Sequence, residues 1–357
     1  MFYWLLYPLA DEIGAFNVVR YITFRTGAAT LTALFLSFLL GPVLIRWLAR
    51  LRVGQPIREI GPDHQQKEGT PTMGGLLILP VLAVSVLLWT RLDNRAVWVV
   101  LGLTIGYGLL GLLDDYRKVT RRSSAGIRAR TKLFWQFLLA FMVAGVIYTD
   151  PNFDKELAVP FFKDFTPNLG VFYVPLAALV IVAASNAVNL TDGLDGLAIG
   201  PVMIAAGTFL ILCYAAGHAG IADYLAIKNV PGSGELTIFC GALVGGGLGF
   251  LWFNTYPAQL FMGDVGSLAL GGALGAIAVV IRQEILLAVI GGIFVVETLS
   301  VMIQVASFKL TGKRVFLMAP IHHHFEQLGW AEQKIVVRFW IIAIILAIVA
   351  LSSLKLR

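Results

Sequence analysis

Five aspartates stand where an apolar run gives way to a loop: Asp114 and Asp115 in GLLDD, Asp192 and Asp195 in NLTDGLDG, and Asp264 in FMGDVGS. A carboxylate at the edge of a hydrocarbon-compatible segment is costly, so it is kept where it has a task. Hard oxygen ligands of this kind suit a divalent cation such as Mg²⁺, and through it a phosphate. Asp114 and Asp115 are adjacent, and neighbouring helical positions differ by about 100°, so the pair can address two partners, for instance a metal and a substrate proton. At the C-terminus of an apolar helix they oppose the helix dipole, so capping does not explain them. Asp264 begins a helix, where a carboxylate can cap free N–H groups. Gly263 and Gly266 leave the backbone open beside it and Ser267 adds a hydroxyl, which suits a phosphate or hydrated metal at a helix start.

Asn186, Asn189, Asp192 and Asp195 recur every third residue and form one polar stripe if the helix persists. Two amides and two carboxylates suit a nucleobase and ribose as well as a metal. In MAPIHHHFE, three consecutive imidazoles cannot share one helix face, so a loop presenting His322, His323 and His324 to different partners is expected. Near a phosphate they would serve as hydrogen-bond donors or proton shuttles. Lys67 with GTPTMGG (69–75), Thr72 among them, can line a phosphate, although the segment does not match a Walker loop. The basic residues between Arg117 and Lys132 can hold lipid headgroups or a pyrophosphate. Cys213 and Cys240 lie in apolar segments and read as buried thiols, not as a disulfide or zinc site.

The elements that must position these groups are membrane helices. With 58% hydrophobic and 13% charged residues and a mean hydropathy of +0.82, the chain is not an ordinary soluble globule but an all-α polytopic membrane protein. Helix-length runs without alternation disfavour a transmembrane barrel. The first apolar stretch is interrupted by Asp11, Glu12 and Arg20, so no cleavable leader is read there. Spans are expected near 22–48, 72–90, 96–115, 132–149, 170–188, 198–216, 237–253, 265–281, 285–306 and 336–354. About ten transmembrane helices place both termini on one side. Most of the 27 basic residues fall in the loops opposite the termini, so the termini are expected to be periplasmic and the five aspartates cytoplasmic. The chain reads as a single integral-membrane domain, 1–357. Small-residue series in CGALVGGGLG and LGGALGAI suggest close helix packing, and VPFFKDF (159–165) could pair as a short hairpin.

Carboxylates, amides, histidines and lysines around helix ends that open onto lipid suit a reaction between a soluble phosphorylated compound and a lipid phosphate. GLLDDYRK, NAVNLTDGLDGLA, NTYPAQLFMGDVGS and PIHHHFE together resemble the polyprenyl-phosphate N-acetylhexosamine-1-phosphate transferases, over essentially the whole chain. The triple histidine followed by Phe325 and Glu326 favours the muramoyl-pentapeptide branch. The resemblance implies Mg²⁺-dependent transfer of phospho-MurNAc-pentapeptide from UDP-MurNAc-pentapeptide to undecaprenyl phosphate in the bacterial inner membrane. The products would be lipid I and UMP, in the first membrane step of peptidoglycan synthesis. It implies Asp264 as the metal ligand and Asp114 and Asp115 as the catalytic pair. Asn189, Asp192, Gly193, Leu194, Asp195, Asn254 and Phe261 would be donor-binding positions, with Phe261 a flat face for uracil. Lys67, Thr72 and histidines 322–324 match further functional positions. A homodimer, and no nucleic-acid partner, are also implied. Two rivals remain: a sister transferase using UDP-GlcNAc, and an ion-coupled transporter. A transporter's charges should lie near the midplane, a place only Glu297 fits.

Overall fold

The computed structural model describes residues 1–51, 69–121, 126–151, 153–160, 162 and 165–354. Lys67 lies outside the described residues, as do three residues of the 159–165 hairpin. Fourteen α-helices follow in chain order among the described residues: α1 (Phe2–Leu6), α2 (Ile22–Arg50), α3 (Gly75–Trp89), α4 (Arg95–Arg121), α5 (Ala129–Tyr148), α6 (Tyr173–Thr191) and α7 (Ile199–Gly217). Then come α8 (Ala219–Leu225), α9 (Gly234–Asn254), α10 (Gly263–Val280), α11 (Glu284–Ile290), α12 (Gly292–Thr311), α13 (Ile321–Gln327) and α14 (Glu332–Ser353). Among the described residues, nine helical segments are long and apolar enough to cross a membrane. The all-α polytopic architecture is the one expected.

The second expected span is different. α3 has only 15 residues, about 22 Å of rise against a hydrocarbon layer of about 30 Å. A non-helical segment precedes it and is held by the residues ahead of α10: Phe261 N–H donates to Pro71 O (2.9 Å), Gly74 N–H to Phe261 O (2.7 Å) and Gly75 N–H to Met262 O (3.0 Å). Irregular backbone at membrane depth survives only when protein surrounds it, and residues 71–75 are buried. Two other boundaries differ from expectation. α4 runs to Arg121, nearly two turns past Asp115, and the ninth span breaks at Gly291 into α11 and α12.

α10 is the hub, buried along almost all its length and packed against α4, α6 and α3. Its glycines allow this: a Cβ on Gly271 would lie 2.5 Å from the Ala184 carbonyl oxygen of α6. Likewise a side chain at Gly245 of α9 would overlap the Thr30 carbonyl of α2, so both small-residue series are helix seams. At one end of the bundle Arg25 of α2 and Glu235 of α9 form a buried bidentate pair, both bonds 2.7 Å. The aspartates gather at the other end.

Candidate active site

Three helices, α4, α5 and α10, and the end of α6 bring their polar groups together. The oxygens of Asp114 and Asp115 (α4) and Asp264 (α10) all lie within 4.8 Å of one another. Lys118, one turn on from the pair, places its Nζ 2.6 Å from Asp114 Oδ2, 3.6 Å from Asp115 Oδ1 and 3.1 Å from Asp264 Oδ2. Lys132 of α5 donates to Asp264 Oδ2 at 2.6 Å, and Asn189 of α6 donates to Asp264 Oδ1 at 2.9 Å and to Ser267 Oγ at 2.8 Å. Asp114 and Asp115 are buried, whereas Asp264 keeps some exposure.

Two expectations about these aspartates are corrected. Because α4 continues to Arg121, the pair sits inside the helix and the dipole argument applies only weakly. Asp264 is not a cap: α10 has no side-chain cap of its own, and its carboxylate is taken by Lys132, Lys118 and Asn189. The cap comes from the neighbouring helix, with Val265 N–H donating to Asp115 Oδ2 at 3.2 Å. Gly263 permits that approach, since a Cβ there would lie 2.5 Å from Asp115 Oδ2 and its φ is +70°. Asp114 in turn accepts from Ile127 N–H at 2.6 Å.

The expected polar stripe is broken, because α6 ends at Thr191. Asn186 is spent on Gln136 (3.0 Å) and on Val182 O (2.8 Å), so of the four only Asn189 reaches the cluster from the helix. Burial pushes the Asp192 carboxyl up to about 8, and Asp264, Asp115 and Asp195 act in the same direction. Asp195 turns away and accepts from Ala258 N–H (3.0 Å), while its own N–H donates to Glu332 of α14 (2.8 Å). Asn254 accepts from Gly196 N–H (3.0 Å) and donates to Leu260 O (2.9 Å). It thereby ties the 192–196 turn to the loop carrying Phe261. Leu194 is 4% exposed and belongs to a small apolar cluster with Leu197, Ile335 and Phe339. Gly193 is exposed and Phe261 partly so. Thr72 is buried beside Gly263.

The histidines form a short helix, α13, and not the loop expected. They still diverge, as consecutive helical positions must. His322 Nδ1 faces Glu297 at 3.1 Å, His323 Nδ1 meets Glu326 at 2.5 Å, and His324 Nδ1 accepts from Leu317 N–H at 3.2 Å. Lys118 and Lys132 fall in the basic 117–132 stretch expected to hold headgroups or a pyrophosphate, and the structure pairs both with the acids. Lys118 carries a signal of that pairing, lying three and four residues past the two aspartates; Lys132 carries none, because its contact crosses helices.

The residues fit a divalent cation. Three carboxylates facing two ammonium groups leave an excess of negative charge in a largely buried space, and every anionic donor is a hard oxygen. The acidic cluster is therefore a candidate metal centre. Exposed Gly193 and part-exposed Phe261 supply an approach for a ligand beside it.

Residues 97–282 of this membrane-helix bundle, which include the three acids of the cluster, match the model of glycosyl transferase family 4. Residues 67–79 match signature 1 of the phospho-N-acetylmuramoyl-pentapeptide-transferases. Proteins of that name from Syntrophus aciditrophicus (59% identical), Pelobacter propionicus (58%) and Geobacter sp. strain M21 (58%) align over 100% of both chains. The chain belongs to the phospho-N-acetylmuramoyl-pentapeptide-transferase family.

Proposed function

We propose that the chain transfers phospho-MurNAc-pentapeptide from UDP-MurNAc-pentapeptide to undecaprenyl phosphate, yielding lipid I and UMP at the inner face of the bacterial inner membrane. The observation that carries this reading is the juncture of Asp114, Asp115 and Asp264 with Lys118 and Lys132. It is a polyanion-handling centre at the end of a lipid-embedded bundle. Asp264, backed by the aspartate pair, would hold Mg²⁺, which when bound screens the phosphates and stabilises charge on the departing one. Asn189, the 192–196 turn and Phe261 hold the nucleotide end of the donor, with Phe261 stacking on uracil.

One of Asp114 and Asp115 takes the proton of the acceptor phosphate. The resulting oxyanion forms a bond to the donor's sugar-linked phosphorus, and the bond from that phosphorus to the bridging oxygen breaks, releasing UMP. Lys118 and Lys132 orient and neutralise the phosphoryl oxygens. A cytoplasmic reaction face with periplasmic termini is supported by the excess of lysine and arginine in the loops on the side of the aspartates.

The transporter reading gives way to the family match, and Oε2 of Glu297 faces His322. Supplying the purified protein in detergent with Mg²⁺, undecaprenyl phosphate and either UDP-MurNAc-pentapeptide or UDP-GlcNAc tests the proposal. UMP and a lipid-linked sugar should form only from the first donor. Turnover of UDP-GlcNAc alone would assign the chain to the sister reaction.

A further inference from the structure

Glu297 is a carboxylate with 0% exposure within α12, where a membrane span tolerates a charge least. Its Oε2 lies 3.1 Å from Nδ1 of His322, which is also at 0% exposure. The Arg25–Glu235 pair satisfies both carboxylate oxygens and leaves one guanidinium atom, Arg25 Nε, without a partner among the described residues. Here Glu297 Oε1 and His322 Nε2 are buried and unpartnered among the described residues. The free Nε2 is aimed at a particular place: a Cβ on Gly193 would overlap it and would lie 2.8 Å from Cε1 of the same ring. Gly193 is the exposed residue that follows Asp192, and its missing side chain leaves the room that the edge of the imidazole occupies.

We propose that Glu297 is a positioning residue for the transfer reaction, holding His322 by Nδ1 so that Nε2 is presented past Gly193 to the sugar-phosphate part of the donor. This rests on the reading of the 192–196 turn as the donor site. A carboxylate at Nδ1 selects the tautomer with its proton on that nitrogen and leaves the Nε2 lone pair toward the turn. When the ring is protonated, Nε2 becomes a donor and Glu297 supplies the countercharge. Without the carboxylate, both ring rotation and tautomer are free.

A double-mutant cycle of Glu297→Gln and His322→Ala, with kcat and KM for UDP-MurNAc-pentapeptide measured in detergent, tests this. Glu297→Gln should lower kcat about 10–100-fold and leave KM within about twofold of wild type. Added to His322→Ala, it should cost less than about threefold more, because the two act as one unit. Full additivity, an unchanged kcat in Glu297→Gln, or a loss confined to KM would overturn the proposal. Should the Gln variant fail to fold, Glu297→Asp takes its place in the cycle, with the same coupling expected and additivity again contradicting it. The donor-site reading is judged separately: if Asp192→Asn leaves KM for the donor unchanged, that reading falls, while the coupling of Glu297 to His322 is still read from the cycle.

Discussion

Two charged clusters are buried at opposite ends of the bundle, and they are built differently. Arg25 and Glu235 are matched one to one, with side chains 2% and 7% exposed. Arg25 also donates to Trp89 O, and Glu235 also accepts from Arg91 N–H. The pair's charge is balanced, its geometry bidentate, and it joins the starts of α2 and α9. At the other end three carboxylates share two lysines, Lys118 divides itself among all three, and Asp264 keeps some exposure. Desolvation is costly in both places. A closed, neutral pair offsets that cost by holding helices together, whereas an open, unbalanced one is poised for a ligand that brings the missing charge.

The contrast can be broken by substitution. The largest effect is expected at Asp264: Asp264→Ala should lower turnover by about 10³-fold or more, about 4 kcal/mol of barrier, with the thermal unfolding midpoint nearly retained. Near-normal UMP release would remove it from the site. Asp114→Asn and Asp115→Asn should follow the same pattern. Next is Glu235→Gln, which strands the Arg25 guanidinium and should cost about 3–5 kcal/mol of stability, seen as a lower unfolding midpoint. Its specific activity while folded should match wild type, and a selective loss of turnover would erase the distinction between the two ends. Lys132→Met should reduce turnover about 10–100-fold and shift the Mg²⁺ dependence, without the stability loss of Glu235→Gln.

The smallest effect concerns pH. The Asp192 carboxyl sits near 8 in the folded chain against an ordinary 3.8, so the folded state holds this proton more tightly than the unfolded one. Its contribution to stability therefore falls as pH rises from about 4 through about 8. In metal-free detergent, Asp192→Asn should unfold at a higher temperature than wild type, by a margin that is small at pH 5 and larger at pH 9. An equal difference at both pH values would contradict the assignment.

Much of this contrast is legible in the sequence. The spans are plain because an apolar run of membrane length is costly to expose to water and is stable in lipid, and the aspartates are conspicuous against it. Helix ends are harder: Tyr116–Arg121 is polar enough to resemble a loop, yet it continues α4 and delivers Lys118. The break at Gly291 has apolar residues on both sides, so hydropathy does not mark it. The short α3 is masked by Pro71–Gly74, a non-helical segment held by pairing with Phe261 and Met262. Contacts across helices, Lys132 to Asp264 and Glu297 to His322, have no local spacing to betray them. Asn254, Leu194 and Asp195 lie in one neighbourhood, and their side chains bind protein: they shape the turn.

The central claim is that the unbalanced carboxylates hold a divalent cation. Titrating the purified protein with Mn²⁺ in detergent, followed by electron paramagnetic resonance with and without UMP, tests it most directly. One Mn²⁺ per chain, displaced by Mg²⁺, lost in Asp264→Ala and retained in Glu235→Gln, is the predicted result. Equal Mn²⁺ uptake by wild type and Asp264→Ala would contradict it.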